Sequence, residues 1–554
     1  MKIQRYNKHL RIGWISSLFC LFLGLAVSGC LDLRSATKNP QSEKESIFDA
    51  RLTHPTNDGR PDEDVRSILK KYHADDSYKE IKILYPYNNS IFPPEIASPT
   101  FKWTVEGDLQ TWLVMIDFGK RHKPLYILCD KTGWTPSREI WDLIKEFSKE
   151  DQARITILGV NPDSNYKVFF RGTVTISTSK DEVGAPIMFR RVPPSFEYAS
   201  TFPESMEWCL GDISSYDEPP VIMSNLHVCA SCHTFSGDGK VFGMDMDYKN
   251  NKGAYAFADV NESVTLTDQN FVNWNDFPRD DGLQSTGLFS RISPDGKHVV
   301  STINEIHFLA KISDPYCSQL FYPIQGNIAC YSKDDKKINL LATGAEGKEI
   351  VQTEPSWSPD GKYVLFSSAT MTRDFYVELK GNTVFKSEDA GIDELNKQYP
   401  VQFNIYRVPF NNGMGGQAEP ILGASNNGKS NYCARYSPDG RWIVFTQSIT
   451  GLAVQPDSKL YLVPSTGGEA KLMNCNLSRL NSWHTWSPNS RWLAFVSKES
   501  SAYTELFLTH IDENGNDSPP ILIGRFNKTN FAINVPEFAD IPSGGIQQII
   551  LQGS

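Results

Sequence analysis

Trp357-Ser358-Pro359-Asp360-Gly361-Lys362, followed at once by Tyr363-Val364-Leu365-Phe366, is the stretch that decides the fold. Ser-Pro-Asp-Gly is a tight turn: Pro presets φ, Asp bonds back to the backbone, and Gly takes positive φ. The apolar, β-branched and aromatic run after it reads as a strand. The same mark recurs at Ile292-Ser293-Pro294-Asp295-Gly296-Lys297 and Tyr436-Ser437-Pro438-Asp439-Gly440-Arg441. It is altered at Phe235-Ser236-Gly237-Asp238-Gly239-Lys240 and degraded at Trp486-Ser487-Pro488-Asn489-Ser490-Arg491. The marks start 57, 65, 79 and 50 residues apart, and outer strands such as Ile405–Pro409 and Lys459–Pro464 follow, so one unit holds about four strands. That period and strand count predict the blades of a β-propeller.

The aromatic-Ser-Pro-Asp-Gly-Lys/Arg pattern resembles the TolB-like propeller repeat over roughly residues 195 to 540, found in TolB and in the propeller domains of prolyl-oligopeptidase-type enzymes. Five marks plus strands at both ends imply six blades, with seven as the alternative count, and one blade closed by pairing N- and C-terminal strands. Prolyl-oligopeptidase relatives need a hydrolase domain with a G-x-S-x-G elbow. The chain contains none, so a peptidase is not expected. Walker, H-E-x-x-H and EF-hand patterns are also missing. The acids Asp276, Asp280 and Asp281 read as solvated loop residues ahead of a calcium site.

Just before the first mark stands Cys229-Ala230-Ser231-Cys232-His233. C-x-x-C-H is the c-type haem attachment signature: two thiols reach two vinyl groups and the adjacent His lies below the iron. A redox or structural dithiol and half of a zinc site are the alternatives. Aligned on the turn Ser, His233 and His484 both lie three residues earlier, where the other units carry Ser290, Pro355 and Ala434. The position belongs to an innermost strand, which predicts that both His face the axial channel or its mouth. Candidates for the sixth iron ligand are Met244 and Met246, two apart on one face of a strand, and His484 across the channel. His227 and Met223 are weaker candidates.

The expected cofactor is thus one covalent haem c held by Cys229, Cys232 and His233. Met/His ligation implies electron transfer; an open sixth position allows peroxide or small-gas chemistry.

The N-terminus has its own signals. Lys2, Arg5, Lys8 and Arg11 precede an apolar run from Ile12 to Val27, closed by Leu25-Ala26-Val27-Ser28-Gly29-Cys30. The run is a signal peptide rather than a membrane span. Small residues before Cys resemble the bacterial lipobox. That resemblance implies cleavage before Cys30 and lipidation of its thiol, and Leu31 leans the sorting towards the outer membrane. An uncleaved transmembrane anchor is the other reading.

Residues 30–78 read as a flexible polar spacer, with a short helix over Asp62 to His73. Residues 79–192 hold short alternating strands and one helix, Glu139 to Phe147, similar in layout to an immunoglobulin-like β-sandwich. Residues 193–554 are the propeller. The fold expected is therefore all-β: an N-terminal immunoglobulin-like sandwich, then a six-bladed TolB-like propeller.

Bulk composition agrees. The 554 residues are 40% hydrophobic, 22% charged and 12% aromatic, with net charge −10, and no basic stretch suggests nucleic acid. Ten Cys leave six outside the motif and the leader; Cys317 and Cys330 lie close enough for a hairpin bridge.

Three functions follow: an envelope lipoprotein whose haem-bearing propeller serves electron transfer or redox sensing with an envelope partner; a haem-free TolB-like scaffold binding a protein or peptide; or a haem peroxidase.

Overall fold

The computed structural model describes residues 51–52, 63–193, 196–311, 319–347, 349–371, 384–386 and 392–552. The signal peptide, Cys30, most of the spacer and Cys317 lie outside these residues.

The turn explains the repeat. Ser358 N–H donates to Tyr363 O at 2.9 Å and Gly361 N–H donates to Ser358 O at 2.9 Å. Ser358 Oγ donates to Asp360 Oδ1 at 2.7 Å and accepts Tyr363 N–H, while the same Asp oxygen accepts Lys362 N–H. Gly361 sits at φ +69°, the left-handed region where a side chain costs energy. Each residue of the mark therefore has a fixed task. The degraded mark keeps the geometry: Asn489 accepts from Ser487 and Arg491 as Asp would, and Ser490 takes φ +61°. At Gly237 the missing Pro has a cause. Its N–H donates to Pro294 O at 3.0 Å, and an added Cβ would lie 3.2 Å from that oxygen, so the turns of neighbouring blades touch here.

Among the described residues the propeller has four separate four-stranded antiparallel sheets and one nine-stranded sheet, in which two four-stranded antiparallel units are joined by a parallel bridge between Gly326 and Val351, which gives six blades. Blade 1 consists of Ile187–Val192, Glu207–Gly211 and Val221–Ser224, with Ala532–Phe538 added as its innermost strand. The C-terminal segment thus closes the ring, as the strand count predicts. The propeller also begins earlier than residue 193, because Ile187–Val192 pairs inside blade 1. Blades 2 to 6 start with the inner strands Ala230–Phe235, Leu288–Ile292, Ile350–Trp357, Ser430–Tyr436 and Asn481–Trp486. The longest repeat spacing, in blade 4, accommodates the helix Ile392–Gln398 between the strands Tyr363–Thr370 and Asn404–Pro409.

The N-terminal region is a sandwich of a seven-stranded and a three-stranded sheet. Trp103, Trp112, Trp134 and Trp141 fill its core, fully buried. It differs from a purely antiparallel sandwich: Lys79–Glu80 and Ser90–Phe92 both pair in parallel with Lys167–Thr178. The helix Arg138–Phe147 lies on it, its first turn capped by Ser137 Oγ, and Glu63–Lys71 forms the short helix before it. One continuous apolar core runs from Phe92 and Trp141 to Trp492, Leu508 and Phe526 of the propeller, and Trp492 Nε1 donates to Asp181 O at 3.0 Å. The sandwich is therefore seated on blades 6 and 1.

Candidate functional site: the axial cavity and the Cys-x-x-Cys-His strand

Every inner strand carries a β-bulge before its turn. A bulge re-aims a side chain, and here it aims one residue per blade at the axis. These residues are Cys232, Phe289, Glu354, Cys433 and Trp483, each four positions before the turn Ser, with Val535 from the closing strand. Five sit in the left-handed region: Phe289 +61°, Glu354 +53°, Cys433 +58°, Trp483 +45° and Val535 +48°. Backbone of this kind is costly for such side chains and is held by surrounding structure. Together with Arg291, Pro355, Ala434 and Arg435, the six line a small axial cavity that opens to solvent.

In the ring order, Cys232 of blade 2 and Cys433 of blade 5 stand three blades apart, as do Phe289 and Trp483. Arg291 Nη1 meets Glu537 Oε2 of the closing strand at 2.6 Å. Glu354 Oε2 accepts Cys433 N–H at 2.7 Å and Ser367 Oγ at 3.1 Å. Burial pushes its carboxyl up to about 7, with those hydrogen bonds opposing. Asp245, behind Cys232, accepts Ser290 N–H and is likewise pushed up to about 7 by burial.

Of the sequence-derived site residues, Cys232 lines this cavity and the others point elsewhere. Cys229 is exposed and Cys232 half-buried on the cavity wall. Burial pushes the Cys232 thiol up to about 12. His233 is fully buried and turns sideways, its Nε2 3.2 Å from Met188 O of blade 1. Burial lowers its imidazole to about 4.

His484 is also buried and lowered to about 4 by burial, with the backbone of Val444 and Cys433 of blade 5 opposing the shift. Neither of its ring nitrogens has a hydrogen-bond partner. The expectation that His233 and His484 face one channel does not hold. They occupy equivalent positions, but the bulge gives the axial place to the residue before each, and the His side chains enter the spaces between blades.

Met244 and Met246 do share a face, buried in the core between blades 1 and 2 with Met188, Trp208 and Met223. Met244 is the cross-strand partner of His233. Directly paired side chains stand side by side on one face, so Met244 does not oppose His233 as a trans iron ligand would. His227 is exposed.

Among the described residues no group of three or more His, Cys, Asp or Glu converges on a metal-sized site. The residues as placed do not fit a porphyrin either: one thiol faces outward, one faces the axis, and the imidazole is buried between blades. Cys330, expected near Cys317, is a buried thiol.

Sequence reasoning missed the axial ring. The signal was available one position earlier in the same alignment, where Cys232 and Cys433 fall at equivalent places.

No protein-family model matches the chain. It is 27% identical over 175 residues to a protein of Agrobacterium fabrum described as uncharacterized, a match covering 30% of this chain and 45% of that protein. The chain thus spans about half the length of the curated relative it matches. Among solved structures it is similar to TolB from Acinetobacter baumannii, at 13% identity, 70% of this chain, 79% of that one and TM-score 0.39. It is similar also to the periplasmic gluconolactonase PpgL of Pseudomonas aeruginosa, at 14% identity, 64% of this chain, 100% of that one and TM-score 0.30. By its own sheet topology the chain is a β-sandwich followed by a six-bladed β-propeller.

Proposed function

We propose that this chain is a binding scaffold of the cell envelope, lipidated at Cys30 and held at the outer membrane, whose axial cavity receives a segment of a protein partner. The observation that carries this reading is the ring of six bulged residues. Every blade contributes one, and the ring surrounds a concave site of mixed character: aromatic at Phe289 and Trp483, charged at Arg291, Glu354 and Arg435. Mixed concave sites of this kind are where proteins take ligands. The lipobox-like Leu25 to Cys30 supports the envelope. The sandwich, seated firmly on blades 6 and 1, serves as a rigid stand for the propeller.

The haem readings of the motif, as electron carrier, haem-based redox sensor or peroxidase, all require a porphyrin on Cys229, Cys232 and His233. The divergent placement of those side chains favours the scaffold reading. The test is a photoreactive phenylalanine at Trp483, on the cavity, compared with one at Ile449, which is 62% exposed and outside it. In cells that make the chain natively, a discrete crosslinked adduct from position 483 alone is expected. Equal adducts from both positions, or none from 483, would contradict the cavity as the docking site. Loss of fatty-acid labelling in Cys30→Ala tests the anchor.

A further inference from the structure

We infer that the closed propeller excludes haem from Cys229-Ala230-Ser231-Cys232-His233: folding of blade 2 and attachment of a porphyrin to this motif are alternative fates of the chain.

Each attachment adds a thiol across a vinyl group: the S–H bond breaks, a C–S bond forms at one vinyl carbon, and the proton goes to the other, with no change in electron count. Two such bonds and an imidazole under the iron require three side chains on one side of the segment. Residues i, i+3 and i+4 meet that need on a helical turn. On a strand, side chains at i+3 and i+4 point to opposite faces. Here the motif is strand from Ala230 onward, with Cys229 just ahead of it. Ala230 pairs with Met246 and His233 with Met244, with Ser231 and Cys232 bulged between them.

The strand is also locked. Cys229 O accepts Asp247 N–H at 2.7 Å, and Ala230 O accepts Arg190 Nη1 at 2.7 Å. His233 is 0% exposed, packed in the same layer as Met188 and Met244. Gathering the three groups around one porphyrin would withdraw His233 from blade 1, turn Cys232 off the axial wall and break both backbone contacts. Blade 2 would then no longer close. His233 Nδ1 lacks a partner inside this packing, so the imidazole is held by shape and one hydrogen bond rather than by a full polar network.

The test uses the full chain made together with a cytochrome c maturation system, with an unrelated c-type cytochrome in the same cells as loading control. Limited proteolysis separates the resistant, folded fraction, and haem staining on a denaturing gel reads covalent haem. The resistant wild-type fraction is expected to carry none. Met244→Asp places a charge in the core between blades 1 and 2 and is expected to lose protease resistance and to gain haem on the chain. If that variant still resists protease, Gly243→Val serves instead, since a Cβ there would lie 2.1 Å from the Tyr255 hydroxyl. Haem on the protease-resistant wild type, with a spectrum that changes in His233→Ala, would overturn the inference. An opened variant that takes no haem would overturn it equally, because the fold would then not be what excludes the group.

Discussion

Glu354 of blade 4 accepts the backbone N–H of Cys433 in blade 5 at 2.7 Å, joining two residues of the axial ring across a blade boundary. The contact holds Cys433 in its left-handed conformation, and it places a carboxyl where burial raises it to about 7. A carboxyl raised on folding contributes stability that is full below its unfolded value and lost as pH rises through the folded one. Glu354 and Asp245 both act in this sense, between about 4 and 7. His233 and His484, lowered to about 4, act oppositely: the unfolded chain takes up protons there that the folded one refuses, so stability falls as pH drops from 6.5 towards 4. The two kinds of group oppose each other over that window. The prediction therefore concerns a variant. Glu354→Gln removes one falling contribution, of about 1.4 kcal/mol per pH unit. Its stability relative to wild type should rise between pH 5 and pH 8 in urea melts. A difference that is flat with pH would contradict the assignment.

Arg291 and Glu537 tie blade 3 to the closing strand through a contact with little solvent access. Removing one member leaves a buried charge, a loss of about 3 to 5 kcal/mol, whereas replacing both with apolar groups is far milder. Arg291→Leu should lower the urea midpoint strongly, and adding Glu537→Leu should restore much of it. Equal losses in single and double variants would mean that the pair is not coupled.

The ring has two closures at its C-terminal end. Ala532–Phe538 completes blade 1, and Gln548–Leu551 pairs in parallel with Ser263–Leu266 beside blade 2. A chain ending at residue 545 should remain folded with a lower melting temperature. A chain ending at 531 leaves blade 1 without its inner strand and its edge unpaired, and it should aggregate on expression. Size-exclusion chromatography of the two truncations distinguishes these outcomes.

Turn glycines differ in how closely they are approached. At Gly361 an added Cβ meets nothing within 4 Å, so Gly361→Ala should cost only the left-handed backbone penalty, about 1 kcal/mol. At Gly239 the Cβ would lie 2.1 Å from Asp540 O. Gly239→Ala should therefore cost several times more. Equal losses in thermal melts would contradict the packing of the C-terminal segment against the blade 2 turn.

Much of the fold was legible because the turn chemistry is local. Ser358, Asp360 and Gly361 bond to one another within six residues, so each unit announces itself regardless of its neighbours. The six blades and their C-terminal closure follow from counting those units. The site was less legible, for a physical reason. A bulge is set by the pairing of two strands, and it shifts which residue faces the axis. Read without it, His233 and His484 point into the channel; with it, Cys232 and Cys433 take that place. The Cys-x-x-Cys-His spacing likewise does not reveal how its side chains diverge. On a helical turn its three side chains would share one side, and only the pairing of Ala230 and His233 with Met246 and Met244 reveals the strand. The parallel strands of the sandwich, Lys79–Glu80 and Ser90–Phe92, were hidden too, being too short to show a period.

The central claim, that Cys229 and Cys232 are free thiols facing different surroundings in a closed propeller, is tested most directly by sequential alkylation. The full exported chain is labelled with one reagent in the native state, then reduced, denatured and labelled with a second, and the peptides are read by mass spectrometry. Cys229, exposed, should take the first label readily. Cys232 and Cys433 on the cavity wall should take it slowly, and buried Cys209 and Cys475 should take only the second. If Cys229 and Cys232 take neither label after reduction and denaturation, both sulfurs are held in thioether bonds, and the account is wrong at its centre.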